Sequence, residues 1–289
     1  MTSTAFRPGI AWFAGWVGPR PGFARSAKEQ SNALYDDSMT SREQFDRQAA
    51  HYDQQWAHWN QASLQWMISR AHAAPHHRVL DVATGSGFTA AAFAPLVREV
   101  TGIDVSPGML AQARTKGLAN ARFEEGSAEA MPFPGASFDL VTCRIAPHHF
   151  ASVPAFLREA HRVLTPGGRL LIADTTVPDG APELAAWQHQ VECLRDPSHR
   201  RNHTPTAWQA FVEGAGLALE EIAVPASPID VTLEDWLKKA GCAGQAAAQV
   251  RESFQAAPAD ARAAFRIEER AGDYTFAWPR VVIAARKAV

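Results

Sequence analysis

Arg78-Val-Leu-Asp-Val-Ala-Thr-Gly-Ser-Gly87 is a short apolar run that stops at two glycines. It reads as a buried strand entering a tight turn. Thr89–Leu96 follows as a helix, Val100–Asp104 as a second strand, and Pro107–Thr115 as a second helix, with Pro107 suited to a first turn. Further strands are expected over Ala121–Glu124, Phe138–Cys143 and Gly168–Ala173, and a helix over Val153–Leu164. Strands alternating with helices predict parallel βαβ units in an α/β, doubly wound, Rossmann-like sheet.

Outside this stretch the pattern changes. Upstream, Ser41-Arg-Glu-Gln44 fits a capping box, and Phe45, Ala49 and Tyr52 follow at helical spacing. Trp56, Trp59, Leu64, Trp66, Met67 and Ile68 prolong the helical region to about Ala73, before Pro75. Downstream, the alternation stops at Thr175. Pro182–Leu194, Thr206–Ala215, Leu233–Ala240 and Ala243–Ala257 read as helices, Leu217–Val224 as a strand, and Thr275–Ala285 as holding the last strand. The expected plan is an irregular extension over 1–40, cap helices over 41–75, a cofactor-binding α/β core over 76–175, and cap insertions plus the last core strands over 176–289.

The 289 residues are 46% hydrophobic and 20% charged, which excludes a disordered or collagenous chain. Twenty-eight Lys and Arg against 30 Asp and Glu leave a net charge of −2, too little field to favour nucleic acid as a partner. Cys143, Cys193 and Cys242 are odd in number and widely spaced, which suggests a reducing, cytoplasmic setting. No apolar run approaches the roughly 20 residues of a membrane span. The start is arginine-containing and acid-poor up to Glu29. It fits a tail or a misassigned start better than an organellar transit peptide.

Gly85-Ser-Gly87-Phe-Thr-Ala90 matches GxGxx(G/A) between a strand and a helix, and Asp104 ends the next strand, where a carboxylate can accept two ribose hydroxyls. A nicotinamide dinucleotide fits that pattern too. Asp81, inside the first strand, argues against it, because a buried carboxylate would repel a pyrophosphate at the turn. S-adenosylmethionine has no phosphate; its ammonium and sulfonium favour a carboxylate there.

The chain resembles the class I SAM-dependent methyltransferases. Val79–Gly87 looks like their first motif and Gly102-Ile-Asp-Val-Ser106 like their acidic second-strand motif. Gly126-Ser-Ala-Glu-Ala-Met-Pro-Phe133 with Ser137-Phe-Asp-Leu140 is similar to the adenine loop and fourth strand, and Val163-Leu-Thr-Pro-Gly-Gly-Arg-Leu170 to the turn into the fifth. Val82-Ala-Thr-Gly85 and Cys143-Arg-Ile-Ala-Pro-His-His-Phe150 look most like the ubiquinone/menaquinone-biosynthesis branch. The resemblance implies a seven-stranded sheet whose last strand is antiparallel, inserted between the fifth and sixth, with a helical cap from the N-terminal helices and C-terminal insertions. It implies S-adenosyl-L-methionine as cofactor, S-adenosyl-L-homocysteine as product, and cofactor contacts at Asp81, Gly85, Ser86, Gly87, Asp104, Val105, Met109, Ser127, Ala128 and Arg144. Many relatives carry an acid where Ser127 stands, so adenine contacts here would rest on backbone near Ala128.

The implied reaction transfers a methyl group to a small, ring-containing metabolite, a quinone precursor or a secondary metabolite, at carbon, oxygen or nitrogen. RNA methylation and SAM binding without transfer are the competing readings. His148 and His149 follow the fourth strand, at the ligand end of such a sheet. His149 is the favoured general base and His148 the alternative; the pair could instead orient the loop. Tyr52, Trp56, Arg195, His199 and Arg200 are the candidate acceptor contacts, through stacking or through an anionic or carbonyl group. No metal set is expected, because Pro197 and Pro205 flank His199 and His203 and favour a loop there.

Overall fold

A computed structural model describes residues 40–56, 61–226 and 231–289, with the backbone alone for 54–56. The expected extension up to residue 39, and Trp59, lie outside the described residues.

Among the described residues ten strands follow in chain order: β1 (Arg78–Val82), β2 (Glu99–Asp104), β3 (Ala121–Glu125), β4 (Phe138–Arg144), β5 (Leu164–Thr175), β6 (Leu217–Ala223), β7 (Val231–Thr232), β8 (Glu268–Arg270), β9 (Asp273–Phe276) and β10 (Arg280–Lys287). Seven form one sheet in the order β3-β2-β1-β4-β5-β10-β6. The first five are parallel, and β10 runs antiparallel between β5 and β6, the arrangement the resemblance implied. The other three make a small sheet, β7-β9-β8.

Both faces of the inner strands are buried, so β1, β2, β4, β5 and β10 are largely apolar, whereas the edge strands β3 and β6 carry exposed residues such as Arg122 and Glu220. Val79, Val100, Leu140 and Leu171 point to one face, where α2 (Gln61–Ala71), α3 (Phe88–Phe93) and α4 (Pro107–Thr115) supply Met67, Phe93 and Leu110. Leu80, Ile103, Val141 and Ile172 point to the other, against α5 (Val153–Val163) and α7 (Pro205–Gly214). Along α5, Val153, Phe156, Leu157 and Ala160 recur at helical spacing and are buried, and Ser152 Oγ caps the helix by accepting the Ala155 N–H at 3.2 Å. Full burial of Phe156 and of Leu157 contributes about 1.5–3 kcal/mol each.

A third core lies under α6 (Pro182–Arg195), α8 (Leu233–Ala240), α9 (Gly244–Gln255) and α10 (Ala259–Ala264), where Trp236, Phe254, Phe265, Phe276 and Trp278 meet edge to face. Among the described residues the remaining helix, α1 (Ser41–Trp56), is pinned at both ends of α4. Asp46 Oδ1 accepts Ser106 Oγ at 2.6 Å and the Gly108 N–H at 2.9 Å, and Asp53 takes the Lys116 ammonium at 2.5 Å.

Several boundaries differ from expectation. The capping box is Thr40-Ser-Arg-Glu43: Thr40 Oγ1 accepts the Glu43 N–H at 3.3 Å, and Glu43 Oε2 accepts the Thr40 N–H at 2.9 Å. Thr275–Ala285 splits into β9 and β10, because Pro279 has no N–H to continue a ladder. The small sheet escaped notice because β7 has two residues and β8 is exposed throughout, with no alternation to read.

Gly102 sits in β2 with no room for a side chain. A Cβ there would lie 2.7 Å from Phe123 Cδ1 and 2.9 Å from Thr84 Cγ2. Gly102→Ala is expected to lower stability by about 1–3 kcal/mol, read from the urea midpoint; an unchanged midpoint would show that Phe123 can move.

Candidate active site

A cavity of about 550 Å³ opens at the carboxyl ends of β1, β2, β4 and β5. Its first half is the turn after β1, closed by Thr84 N–H to Ile103 O and Gly87 N–H to Thr84 O, both 2.9 Å. Asp104 accepts the Gly85 N–H at 2.8 Å on Oδ2 and the Ser106 N–H at 2.9 Å on Oδ1. The side chain is on the cavity wall. Burial pushes this carboxyl up, opposed by the backbone donors of Ser106, Gly85 and Val105.

The same wall carries an orphan. Ser86 Oγ is buried and has no hydrogen-bond partner, a state that costs about 1–3 kcal/mol unless a ligand takes the hydroxyl. A Cβ on Gly85 would meet nothing within 4 Å, so the loop backbone faces open space. These features suit a ligand that brings paired hydroxyls and a polar tail. Val105 and Met109 add an apolar wall, with Ser127 and Ala128 from the turn after β3. Ser127 Oγ already accepts the Glu129 N–H at 3.2 Å. Arg144 also lines the cavity; its Nε donates to Thr89 Oγ1 at 3.0 Å, and burial lowers its pKa.

Two expected contacts lie behind this wall. Asp81 is buried beneath the turn, where Oδ2 accepts Thr84 Oγ1 at 2.6 Å and Oδ1 accepts Thr142 Oγ1 at 2.7 Å. Its oxygens are turned to strand neighbours, so it braces the loop and does not line the cavity. Gly87, with φ +83°, is a packing position: a Cβ there would stand 3.1 Å from Ala113 Cβ and keep α3 from α4. The backbone is strained where the cavity begins. Ala83 and Ile145, just after β1 and β4, have φ of 52° and 54°. For the β-branched Ile145 that conformation is an outlier, held by its N–H on Ala173 O at 2.7 Å.

The second half centres on a 3₁₀ turn, Pro147–His149. His148 Nδ1 meets Asp174 Oδ1 at 2.6 Å, so the carboxylate holds the proton on Nδ1 and leaves Nε2 basic. Burial opposes a charge on His148, but Asp174 more than offsets it and raises the pKa. His149 differs. Burial, then the neighbouring His148, push it down to about 4, and its Nδ1 lies 3.1 Å from both Ser198 O and Ser198 Oγ. Of the two rings, His148 is thus the more basic.

Of the expected acceptor contacts, Tyr52, Arg195 and Arg200 line the cavity. Burial raises the Tyr52 pKa. Arg195 Nε donates to Trp236 O at 3.2 Å, and its guanidinium lies 4.4 Å from the Trp236 ring centre. His199 does not reach the cavity. The turn after Asp196 folds it inward, 4% exposed, with its ring 5.5 Å from that of His148 and neither nitrogen hydrogen-bonded. The Trp56 side chain lies outside the described residues. Among the described residues, no three His, Cys, Asp or Glu side chains converge as a metal set.

Sequence reasoning missed Asp174, Glu192, Trp236, Trp278 and Arg280. An acid ending a buried strand, as Asp174 nearly does, was the one available signal; the others come from cap elements far apart in sequence. Glu192 is driven up to about 7 by burial, partly offset by Arg195 and His148.

Residues 80–172 match a family described as a methyltransferase domain. The chain is 36% identical over 233 residues to the uncharacterized methyltransferase YcgJ of Bacillus subtilis, covering 79% of this chain and 91% of that one. The crystal structure of the B. subtilis YcgJ protein superimposes with a TM-score of 0.73 over 79% of this chain and 99% of that one, at 34% identity. A demethylmenaquinone methyltransferase of Deinococcus radiodurans is 49% identical over 107 residues, 35% of this chain and 44% of that protein.

Asp81 supplies a pH test. With its pKa raised to about 6, its ionised form costs stability that is absent below about pH 4 and grows as pH rises to about 6. Asp81→Asn is expected to gain up to roughly 3 kcal/mol relative to the parent across that window, measured by urea unfolding at several pH values. A flat difference would mean that Asp81 is not buried as a charge.

Proposed function

Because the chain belongs to the class I methyltransferase family, we propose that it transfers a methyl group from S-adenosyl-L-methionine to a small, ring-containing metabolite. The observation that carries this reading is one cavity joining the Asp104 turn to the His148–Asp174 pair. When bound, S-adenosyl-L-methionine supplies a methyl group activated by a sulfonium.

Asp104 would accept the ribose hydroxyls on its carboxylate. Val105 and Met109 would cover the adenine, with polar contacts from Ser127 and the backbone at Ala128. Gly85, Ser86 and Arg144 would hold the amino-acid end, where the guanidinium complements a carboxylate. The acceptor would lie against Tyr52, Phe45 and Phe150, aromatic side chains that exclude water from the same cavity. Positioning supplies much of the rate in such a transfer. Where the acceptor atom must lose a proton, His148 Nε2 takes it while Asp174 holds the Nδ1 proton. The likeness to a demethylmenaquinone methyltransferase supports a ring-containing acceptor. We place this activity in the cytoplasm, on the cysteine usage, and a net charge of −2 favours a metabolite over nucleic acid.

Calorimetric titration tests the cofactor. S-adenosylmethionine and S-adenosylhomocysteine are expected to bind and NADH not to, with Asp104→Ala about tenfold weaker or worse. No binding of either sulfur compound to folded protein would overturn the reading. The base is tested by pH. Because His148 must be neutral to act and its pKa is raised, kcat/KM should climb as pH rises through that raised value. Asp174→Asn removes the charge and is expected to move the rise to lower pH; a rise that stays in place would exclude His148.

A further inference from the structure

Among the described residues the buried carboxylates are Asp81, Asp104, Asp174, Glu192 and Asp196. All but one are hydrogen-bonded. Asp81 accepts the Thr84 and Thr142 hydroxyls, Asp104 the Gly85 and Ser106 N–H groups, Asp174 the His148 ring, and Asp196 the Ser198 N–H and Oγ. Glu192 is the exception. It lies in the last turn of α6, is 6% exposed, and lines the cavity. Arg195 Nη1 stands 3.8 Å from its Oε2, near enough for an ion pair and too far for a hydrogen bond. Arg195 is held there, with Nε on Trp236 O at 3.2 Å and its guanidinium over the Trp236 ring. Neither Glu192 oxygen is among the sealed, unpartnered atoms of the interior, so both can be reached from the cavity.

The surroundings place this head group at the reacting end. The charges acting on it are those of Arg195, His148, Asp196 and Asp174, and the first three line the same cavity. Burial pushes the Glu192 carboxyl up to about 7, with those charges and no hydrogen bond acting against or beside it. A buried carboxylate whose charge is answered but which receives no donor gains most from a ligand that brings one.

The charge balance fixes the kind of ligand. Glu192 faces Arg195, Asp174 faces His148, Arg144 donates to Thr89, and Arg200 and Arg280 are engaged as well. An anion would find no unanswered cation here, and a cation would have to displace Arg195. A neutral molecule with an O–H or N–H meets neither cost. Trp236 and Trp278 on the same wall suit a flat ring.

We propose that Glu192 is a specificity-determining residue for the methyl acceptor: its carboxylate accepts a hydrogen bond from an O–H or N–H on a neutral, ring-containing molecule. That this ligand is the acceptor rests on the methyltransferase reading above; the binding preference itself is measured without methyl transfer.

Four probes share one ring system and differ in the group they bring: 2-naphthol, 2-methoxynaphthalene, 2-naphthoate and 2-naphthylmethylammonium. They are titrated by calorimetry into the complex with S-adenosylhomocysteine. 2-Naphthol is expected to bind, and each of the others about tenfold more weakly or worse. Glu192→Met keeps the volume and removes the acceptor, so 2-naphthol and 2-methoxynaphthalene should bind it alike. Glu192→Gln, whose amide oxygen still accepts, should keep part of the preference. His148→Asn should keep all of it, which separates Glu192 from the neighbouring base. Urea midpoints at or above the parent's are expected for both Glu192 variants and show that they fold. No binding of 2-naphthol, tighter binding of either ion, or a preference that survives in Glu192→Met or disappears in His148→Asn would overturn the proposal. Failure to bind S-adenosylhomocysteine would overturn the methyltransferase reading instead, and the same probes titrated into the free protein would still decide the role of Glu192.

Discussion

A carboxylate at the end of β2, Asp104, accepts one N–H from the turn after β1 and another from the turn after β2. Neither turn can move without leaving a buried donor or acceptor unmet. The bond on the first side sets the loop that carries Ser86. The bond on the second sets Ser106, which caps α4 at Met109 and meets Asp46 of α1. One side chain thus fixes the floor of the cavity, its apolar wall and the anchor of the helix beside it.

The second half of the site follows the same logic with different chemistry. The backbone of the histidine turn is held from both sides, by Ile145 N–H on Ala173 O and by the Arg200 and Arg201 N–H groups on His148 O. Side chains that would otherwise behave alike then diverge. His148 and His149 are adjacent and both half-buried, but one faces a carboxylate and the other a serine. Their proton affinities separate in opposite directions. Burial alone would have lowered both.

How much of this was legible varied with the range of the forces involved. The glycine turn, Asp104 and the parallel core could be read because strand periodicity and turn chemistry are local. The antiparallel β10 came from family likeness, since nothing local in Arg280–Lys287 states its direction. Asp81 was rightly read as buried but wrongly aimed. Only the strand register reveals that Thr142, 61 residues away, takes one of its oxygens. His199 was misplaced for a similar reason: whether a loop residue points into or away from a cavity depends on the turn at Asp196. The cap wall of Trp236, Trp278 and Arg280 was invisible because it assembles from α8 and the approach to β10, and single aromatic residues in such segments read as ordinary packing.

The three cores are separate clusters of side chains: two sandwich the main sheet, and the third belongs to the cap. Trp236 and Trp278 belong to the third, whereas Leu80, Ile103 and Phe156 belong to a sheet core. Selection can therefore act on ligand preference and on folding with little cross-talk, since repacking the cap leaves the contacts of the parallel strands intact. One linkage lies at Pro279, the single residue between Trp278 of the cap and Arg280 of the sheet. Drift toward a new ligand should accumulate on the cap side of that joint.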